Sequence, residues 1–246
     1  MDEIEFDAQL KKSPAQRRSW ENSKRIGINY FIEAIGDLNM TDITREHAIE
    51  FRNWWAKRIK QGDENGKRPT PYTANRRIGS LRTLYEKYFA YVGQEDRGNP
   101  FRKLSFKDTK TKKRPPFSVD WVRSKILNSN ALSGLNKEAK SIVLTLIETG
   151  ARPSEICNLR AENIHLDCPV PYIEIIEQSN REVKASASNR TIPLVGISLE
   201  AMKSYPNGFP RYFDKDTHLS NTLMGYFKDN GLLESDKHKI LSLIHI

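Results

Sequence analysis

Arg152 stands in the run Glu148-Thr149-Gly150-Ala151-Arg152-Pro153-Ser154-Glu155-Ile156-Cys157-Asn158-Leu159. Glycine lets a buried helix end sharply, and a proline at position 153 suits the first turn of the next one. The arginine between them is held in a tight junction, where its planar fork of donors suits a phosphate. Glu155 falls in the first turn of the new helix, where a carboxylate complements the helix dipole. A second stretch, Lys184-Ala185-Ser186-Ala187-Ser188-Asn189-Arg190-Thr191-Ile192-Pro193-Leu194, sets a lysine ahead of an arginine and a β-rich tail. Taken by itself, Lys184 reads as a solvated hairpin lysine.

Other chemistries find little support. His47, His165, His218 and His238 are scattered, and Cys157 and Cys168 have no second pair beside them, so no zinc site is expected. No glycine-rich loop ends in Gly-Lys-Ser or Gly-Lys-Thr, which leaves ATP use without a motif. No local Asp/Glu cluster suggests a two-metal nuclease. The expectation is a site with no metal and no cofactor.

The elements that must position these residues follow from spacing and caps. Ser13-Pro14 opens a helix with Ile28, Phe31, Ile32 and Ile35 on its inner face, closed by Gly36. Thr44 caps a second, striped by Ala48, Phe51, Trp55 and Ile59. After the polar loop 61–66, Thr70-Pro71 opens a third whose stripe is Ile78, Leu81, Tyr85, Tyr88 and Val92, closed by Gly93. These aromatics keep the helical period, which argues for core and against stacking on bases. Beyond the linker, helices are expected over 119–127, from the cap Asn136 to Thr149, from Pro153 to Leu159, over 197–205 and over 219–230. The stretches 172–176 and 190–194 read as strands of a hairpin or small sheet. The fold class is mainly α, with a small antiparallel sheet in the second domain.

Charge divides unevenly. Of a net +9, the first 118 residues hold 25 Lys and Arg against 16 Asp and Glu, and the remainder holds 15 against 15. A basic half attracts polyanions through phosphate neutralisation and counterion release. The stretch from Lys107 to Pro116 has five basic residues against one acidic, no apolar residue and two prolines, as an extended strap or a solvated hinge would. Three domain segments are therefore expected: a helical domain over 1–106, a basic linker over 107–118, and a second domain over 119–240. Mean hydropathy of −0.66 and the lack of any long apolar run argue against a membrane span. Two cysteines are too few for a disulfide framework, so a reducing cytoplasm is the expected setting.

The first run closely resembles the tyrosine recombinase signature Thr-Gly-x-Arg-x-Ser-Glu, and the second resembles that family's hairpin element of Lys, Ser-x-Arg and Ile-Pro-Leu. Ile35-Gly36-Asp37, Asp42-Ile43-Thr44, Thr73-Ala74-Asn75-Arg76-Arg77 and Asn99-Pro100-Phe101 are similar to stretches of its helical core-binding (SAM-like) domain. The resemblance, to site-specific recombinases of the phage integrase type, spans residues 20–240. It implies a four-helix clamp on DNA followed by part of an α+β catalytic domain. In such proteins the strand is cut and rejoined through a 3′-phosphotyrosyl bond, without a metal. Carried over residue by residue, Arg152 binds the scissile phosphate, Glu155 supports the active site, and Lys184 protonates the departing 5′ oxygen as general acid. Thr73, Asn75, Arg76, Arg77 and Arg190 become candidate DNA contacts, with Arg190 either structural or backbone-contacting. The implied partners are double-stranded attachment sites and further copies of the chain in a tetrameric synapse. The implied setting is a bacterial or phage nucleoid.

The family's His-x-x-Arg element and nucleophilic tyrosine are not recognisable, and Tyr205, Tyr212 and Tyr226 read as structural. Residues 241–246 back-translate to CTG TCT CTT ATA CAC ATC, which resembles the end of a transposon-based library adapter. A truncated recombinase that binds DNA without cleaving it is the expectation. The alternative is a non-catalytic DNA-binding protein, either a decayed integrase or a regulator.

Overall fold

The computed structural model describes residues 9–10, 12–107, 115–128, 130–177, 189–235 and 238. The chain divides into two compact units, Met1–Thr111 and Lys112–Ile246. Most of the expected linker, 108–114, lies outside the described residues.

Three long helices build the first unit: α1 (Pro14–Ile35), α2 (Arg45–Gln61) and α3 (Pro71–Tyr91). Each begins as its sequence signals. The hydroxyls of Ser13, Thr44 and Thr70 accept from the main-chain N–H groups of Gln16, His47 and Thr73, and proline opens α1 and α3. The core is aromatic. Phe31 meets Phe51 and Phe101 edge-on at 5.4 and 5.8 Å, and Trp55, Tyr85 and Phe89 are buried with them. Two stripe expectations fail at one residue each, since Ile32 and Val92 are exposed. Ala74, Leu84 and Phe89 fill α3's inner face instead. Where the resemblance implies four helices, the described residues hold three long ones and an irregular exit segment, 99–106.

That exit segment is gripped by side chains from α2 and α3. Arg45 donates to the carbonyls of Pro100 and Arg102, Arg52 to Leu104, and Arg82 to Phe101. Asn99 reaches back to the Arg82 carbonyl, and Phe101 and Leu104 enter the core. An irregular segment has no ladder of its own, so borrowed donors satisfy its carbonyls.

The second unit opens with α4 (Val119–Trp121), which runs on into a π-helical turn over Val122–Ile126. Then come α5 (Lys137–Thr149), α6 (Pro153–Ile156), strands β1 (Ile164–His165), β2 (Tyr172–Ile175) and β3 (Arg190–Pro193), α7 (Gly196–Lys203) and α8 (Asp216–Asp229). The strands form an antiparallel sheet in the order β1-β2-β3, with Ile173 opposite Ile164 on one side and Ile192 on the other. β1 is too short for its alternation to be read from sequence. α5 is the central helix: Ala139, Ile142, Val143 and Leu146 are fully buried, and α7 packs along it. The Glu148 carboxylate, at the end of α5, accepts from the Ser198 main-chain N–H at 2.8 Å and so ties α5 to the start of α7.

Candidate functional site

α5 ends at Gly150, whose left-handed conformation (φ 60°) turns the chain without the strain a side chain would bring. Ala151 is buried beneath the turn, and Arg152 precedes Pro153 at the start of α6. Arg152 is thus carried by a junction fixed at both ends, as its sequence context predicts.

Around it the structure brings together two of the sequence-derived residues. Oε2 of Glu155 accepts from the Arg152 main-chain N–H at 2.7 Å, and Oε1 accepts from Arg152 Nη1 at 2.7 Å. Arg190, at the first position of β3, donates Nη2 to Oε2 at 2.8 Å and Nη1 to Oε1 at 3.4 Å. The Glu155 side chain is only 9% exposed, while those of Arg152 and Arg190 are 43% and 35% exposed. Burial alone would raise the Glu155 pKa. The hydrogen bonds and charge of Arg190, with those of Arg152, outweigh it and hold the carboxyl below its ordinary value. The result is a buried anion beneath two half-exposed cations, a surface that suits a phosphodiester.

The junction is braced from below. Asn158, buried, donates to the Ser154 carbonyl at 2.7 Å and accepts from the Asp214 main-chain N–H at 2.8 Å. It joins α6 to the turn that carries the core residues Phe209 and Tyr212. Sequence reasoning gave Asn158 no role, although a lone amide among Ile156, Cys157 and Leu159 signals a buried polar tie. Beside it, Gly208 lies against the Leu159 carbonyl, where an added Cβ would come within 2.1 Å of the oxygen.

Lys184 lies outside the described residues. The tyrosines read as structural have structural partners: the Tyr212 hydroxyl accepts from Asn136 Nδ2 at 2.7 Å, and the Tyr226 hydroxyl donates to the Ala131 carbonyl at 2.9 Å. The Tyr205 ring packs against Phe209, tilted by 33° with centroids 5.1 Å apart, and burial together with the Glu138 charge raises its pKa.

Thr73, Asn75, Arg76 and Arg77 form the first turns of α3 in the other unit. The Thr73 hydroxyl is 3.1 Å from that of Thr70. Asn75 is used within the chain: its amide donates to the Phe106 carbonyl at 2.9 Å and accepts from the Phe106 N–H at 2.7 Å. That clasp is a structural job the sequence reading did not foresee. Arg76 is exposed. Arg77 is half-buried, and its sheltered Nε has no hydrogen-bond partner among the described residues. Burial, and then the neighbouring Arg76 charge, lower its pKa, with Tyr30 acting the other way.

No protein-family model and no curated protein sequence matches the chain. Solved structures do. A lambda integrase fragment (residues 75–356), a dimer bound to a COC′ core site, aligns with TM-score 0.62 at 16% identity, covering 98% of this chain and 81% of that one. The Tn1549 transposon integrase (residues 82–397), in complex with circular intermediate DNA, aligns with TM-score 0.58 at 17% identity over 92% of this chain and 76% of that one. A lambda integrase tetramer bound to a Holliday junction gives TM-score 0.58 at 15% identity, over 93% and 70%. The chain has the mainly α fold, with its small antiparallel sheet, of these integrases, the fold that the resemblance to tyrosine recombinases implies.

Proposed function

We propose that the chain is a site-specific recombinase of the tyrosine recombinase type, in which residues 1–106 clamp duplex DNA, 107–118 track its backbone, and 119–240 form part of the catalytic domain. The observation that carries this reading is the Arg152–Glu155–Arg190 cluster, built on a glycine–proline helix junction in a fold shared with integrases solved on DNA. Arg152 binds the scissile phosphate, Glu155 keeps it in place, and Lys184 protonates the leaving oxygen. Double-stranded attachment sites and further copies of the chain are the partners.

In this reading residues 1–246 bind DNA without cutting it, since Tyr205, Tyr212 and Tyr226 do not stand in the sequence context of the family's nucleophile. The hydroxyls of Tyr212 and Tyr226, each bonded inside the second unit, favour this part of the reading. They equally suit a regulator that kept an integrase fold, and the two are separated by asking whether one phosphate is singled out.

The test uses the full chain and a duplex selected from a random-sequence pool. Affinity falls steeply and log-linearly with salt, as phosphate-dominated binding requires. Walking a single neutral methylphosphonate along each strand reveals one position per strand where wild-type binding weakens about 10-fold or more while Arg152→Ala is indifferent. Binding insensitive to salt sinks the DNA reading. Salt-sensitive binding with no Arg152-dependent phosphate moves the chain to the regulator. A covalent protein–DNA adduct on a nicked duplex would show that a nucleophile is present after all.

A further inference from the structure

The carboxylate of Glu155 meets both arginines on both of its oxygens. Oε2 takes the Arg152 main-chain N–H and Arg190 Nη2, and Oε1 takes Arg152 Nη1 and, at longer range, Arg190 Nη1. The two arginines reach it from different elements, one from the α5–α6 junction and one from the edge of β3, where Arg190 pairs across the sheet with Ile175. An arginine facing a carboxylate alone makes a neutral, self-contained pair. Its charge is then cancelled at short range and its fork is committed to the acid. A second guanidinium on the same acid changes this balance. The trio carries one net positive charge, and Arg190's two-pronged hold leaves Arg152 a single side-chain donor on Glu155. Nε and Nη2 of Arg152 bond to none of the described residues, and the side chain is 43% exposed.

We propose that Arg190 is a positioning residue: by holding the Glu155 carboxylate it leaves the outer face of Arg152 charged and open to an anionic phosphodiester. This rests on the DNA reading above and adds a division of labour to it. The arginine that grips the acid is not the arginine that grips the phosphate. Arg190, first considered as a DNA contact, then acts through Glu155. Burial of the acid sharpens the dependence, since a carboxylate this sheltered is kept ionised by Arg190 first, with the main-chain N–H and the guanidinium of Arg152 beside it.

The test follows two signals in the full chain by NMR: the Arg152 Nε–H resonance and the carboxyl carbon of Glu155 through an acid titration. The variants are Arg190→Gln and Arg190→Lys, with thermal unfolding as a check on the fold. With Arg190→Gln the Glu155 titration moves to higher pH and the Arg152 resonance shifts as its guanidinium turns inward. Affinity for the selected duplex falls about tenfold, and the loss is confined to the phosphate that Arg152 senses. Arg190→Lys restores most of the Glu155 titration, because the charge returns, yet leaves the Arg152 resonance displaced, because the fork does not. A folded Arg190→Gln protein with both signals unmoved overturns the proposal. If Arg190→Gln does not fold, an unmoved Arg152 resonance in Arg190→Lys overturns it instead. The two resonances are read without DNA, so a chain that binds no DNA while its signals move refutes the DNA reading and leaves the coupling standing.

Discussion

Replacing Gly208 with alanine probes the close approach that braces the candidate site. Gly208 and Gly231 both adopt left-handed conformations, with φ of 82° and 65°. Any alanine there carries a backbone cost of about 1 kcal/mol. Their surroundings differ. A Cβ at Gly231 meets nothing within 4 Å, whereas at Gly208 it would lie 2.1 Å from the Leu159 carbonyl oxygen and 3.0 Å from its carbon. Both are main-chain atoms and cannot swing aside as a flexible side chain does. Relief requires the strands of chain at 159–160 and 208 to separate by about 1 Å, breaking the antiparallel bridge between Arg160 and Gly208. A lost main-chain hydrogen bond costs about 1 kcal/mol, and loosening the fully buried Phe209 and Tyr212 adds about 1–3 kcal/mol. The expected destabilisation is about 3–5 kcal/mol for Gly208→Ala against about 1 kcal/mol for Gly231→Ala. Urea denaturation with fluorotryptophan incorporated separates the units, since Trp121 reports on the second while Trp54 and Trp55 report on the first. The Trp121 midpoint should fall sharply only in Gly208→Ala, with the Trp55 signal unchanged. Two variants within about 1 kcal/mol of each other would refute the close-packing argument.

Glu155→Gln should lower the stability of the second unit by about 2 kcal/mol at neutral pH, less than for a fully buried pair because both guanidiniums are partly solvated. Its pH dependence has a definite sign. The folded-state pKa of Glu155 lies below the ordinary 4.5, so its contribution is complete above that value and is lost as pH falls through the folded pKa. Wild type should therefore weaken on acidification below about pH 4.5 more steeply than Glu155→Gln, and parallel acid limbs in denaturation would contradict this. Asn75→Ala removes both hydrogen bonds to Phe106 and should cost the first unit about 1–2 kcal/mol, measured by faster amide exchange at Phe106. An unchanged exchange rate would mean the clasp is idle.

Helix starts were the most readable part of the chain, because capping is local: Ser13, Thr44, Thr70 and Asn136 each accept from the N–H three residues on. Helix faces were read well along their centre lines and less well at their margins. Ile32 and Val92 keep the period yet are exposed: Ile32 stands at the side of a face whose Phe31 and Ile35 meet the core, and Val92 follows the last turn of α3. The site was half legible. The Gly150–Pro153 frame around Arg152 is a short-range pattern, but the meeting of Glu155 with Arg190 depends on the sheet closing over α6, which no local spacing encodes. The same holds for Asn75. Its polar side chain at the start of α3 suggested an outward contact, and only the tertiary fold turns it onto Phe106. Arg45, Arg52 and Arg82 counted as basic charge in the sequence, whereas each is engaged with carbonyls of the exit segment.

That engagement bears on the order in which the protein is made. The side chains that reach into residues 99–106 from outside, Arg45, Arg52, Asn75 and Arg82, all lie upstream of them. On a ribosome delivering the chain from its N-terminus, each donor waits in place before its acceptor arrives. The first unit can latch shut once Phe106 clears the exit tunnel, while most of the second is still to be made. A nascent chain halted before Pro100 would leave the guanidiniums of Arg45, Arg52 and Arg82 without those carbonyls and the seats of Phe101 and Leu104 empty. The irregular segment is therefore the last-fitted part of the first unit, and the signal that its half of the protein is finished.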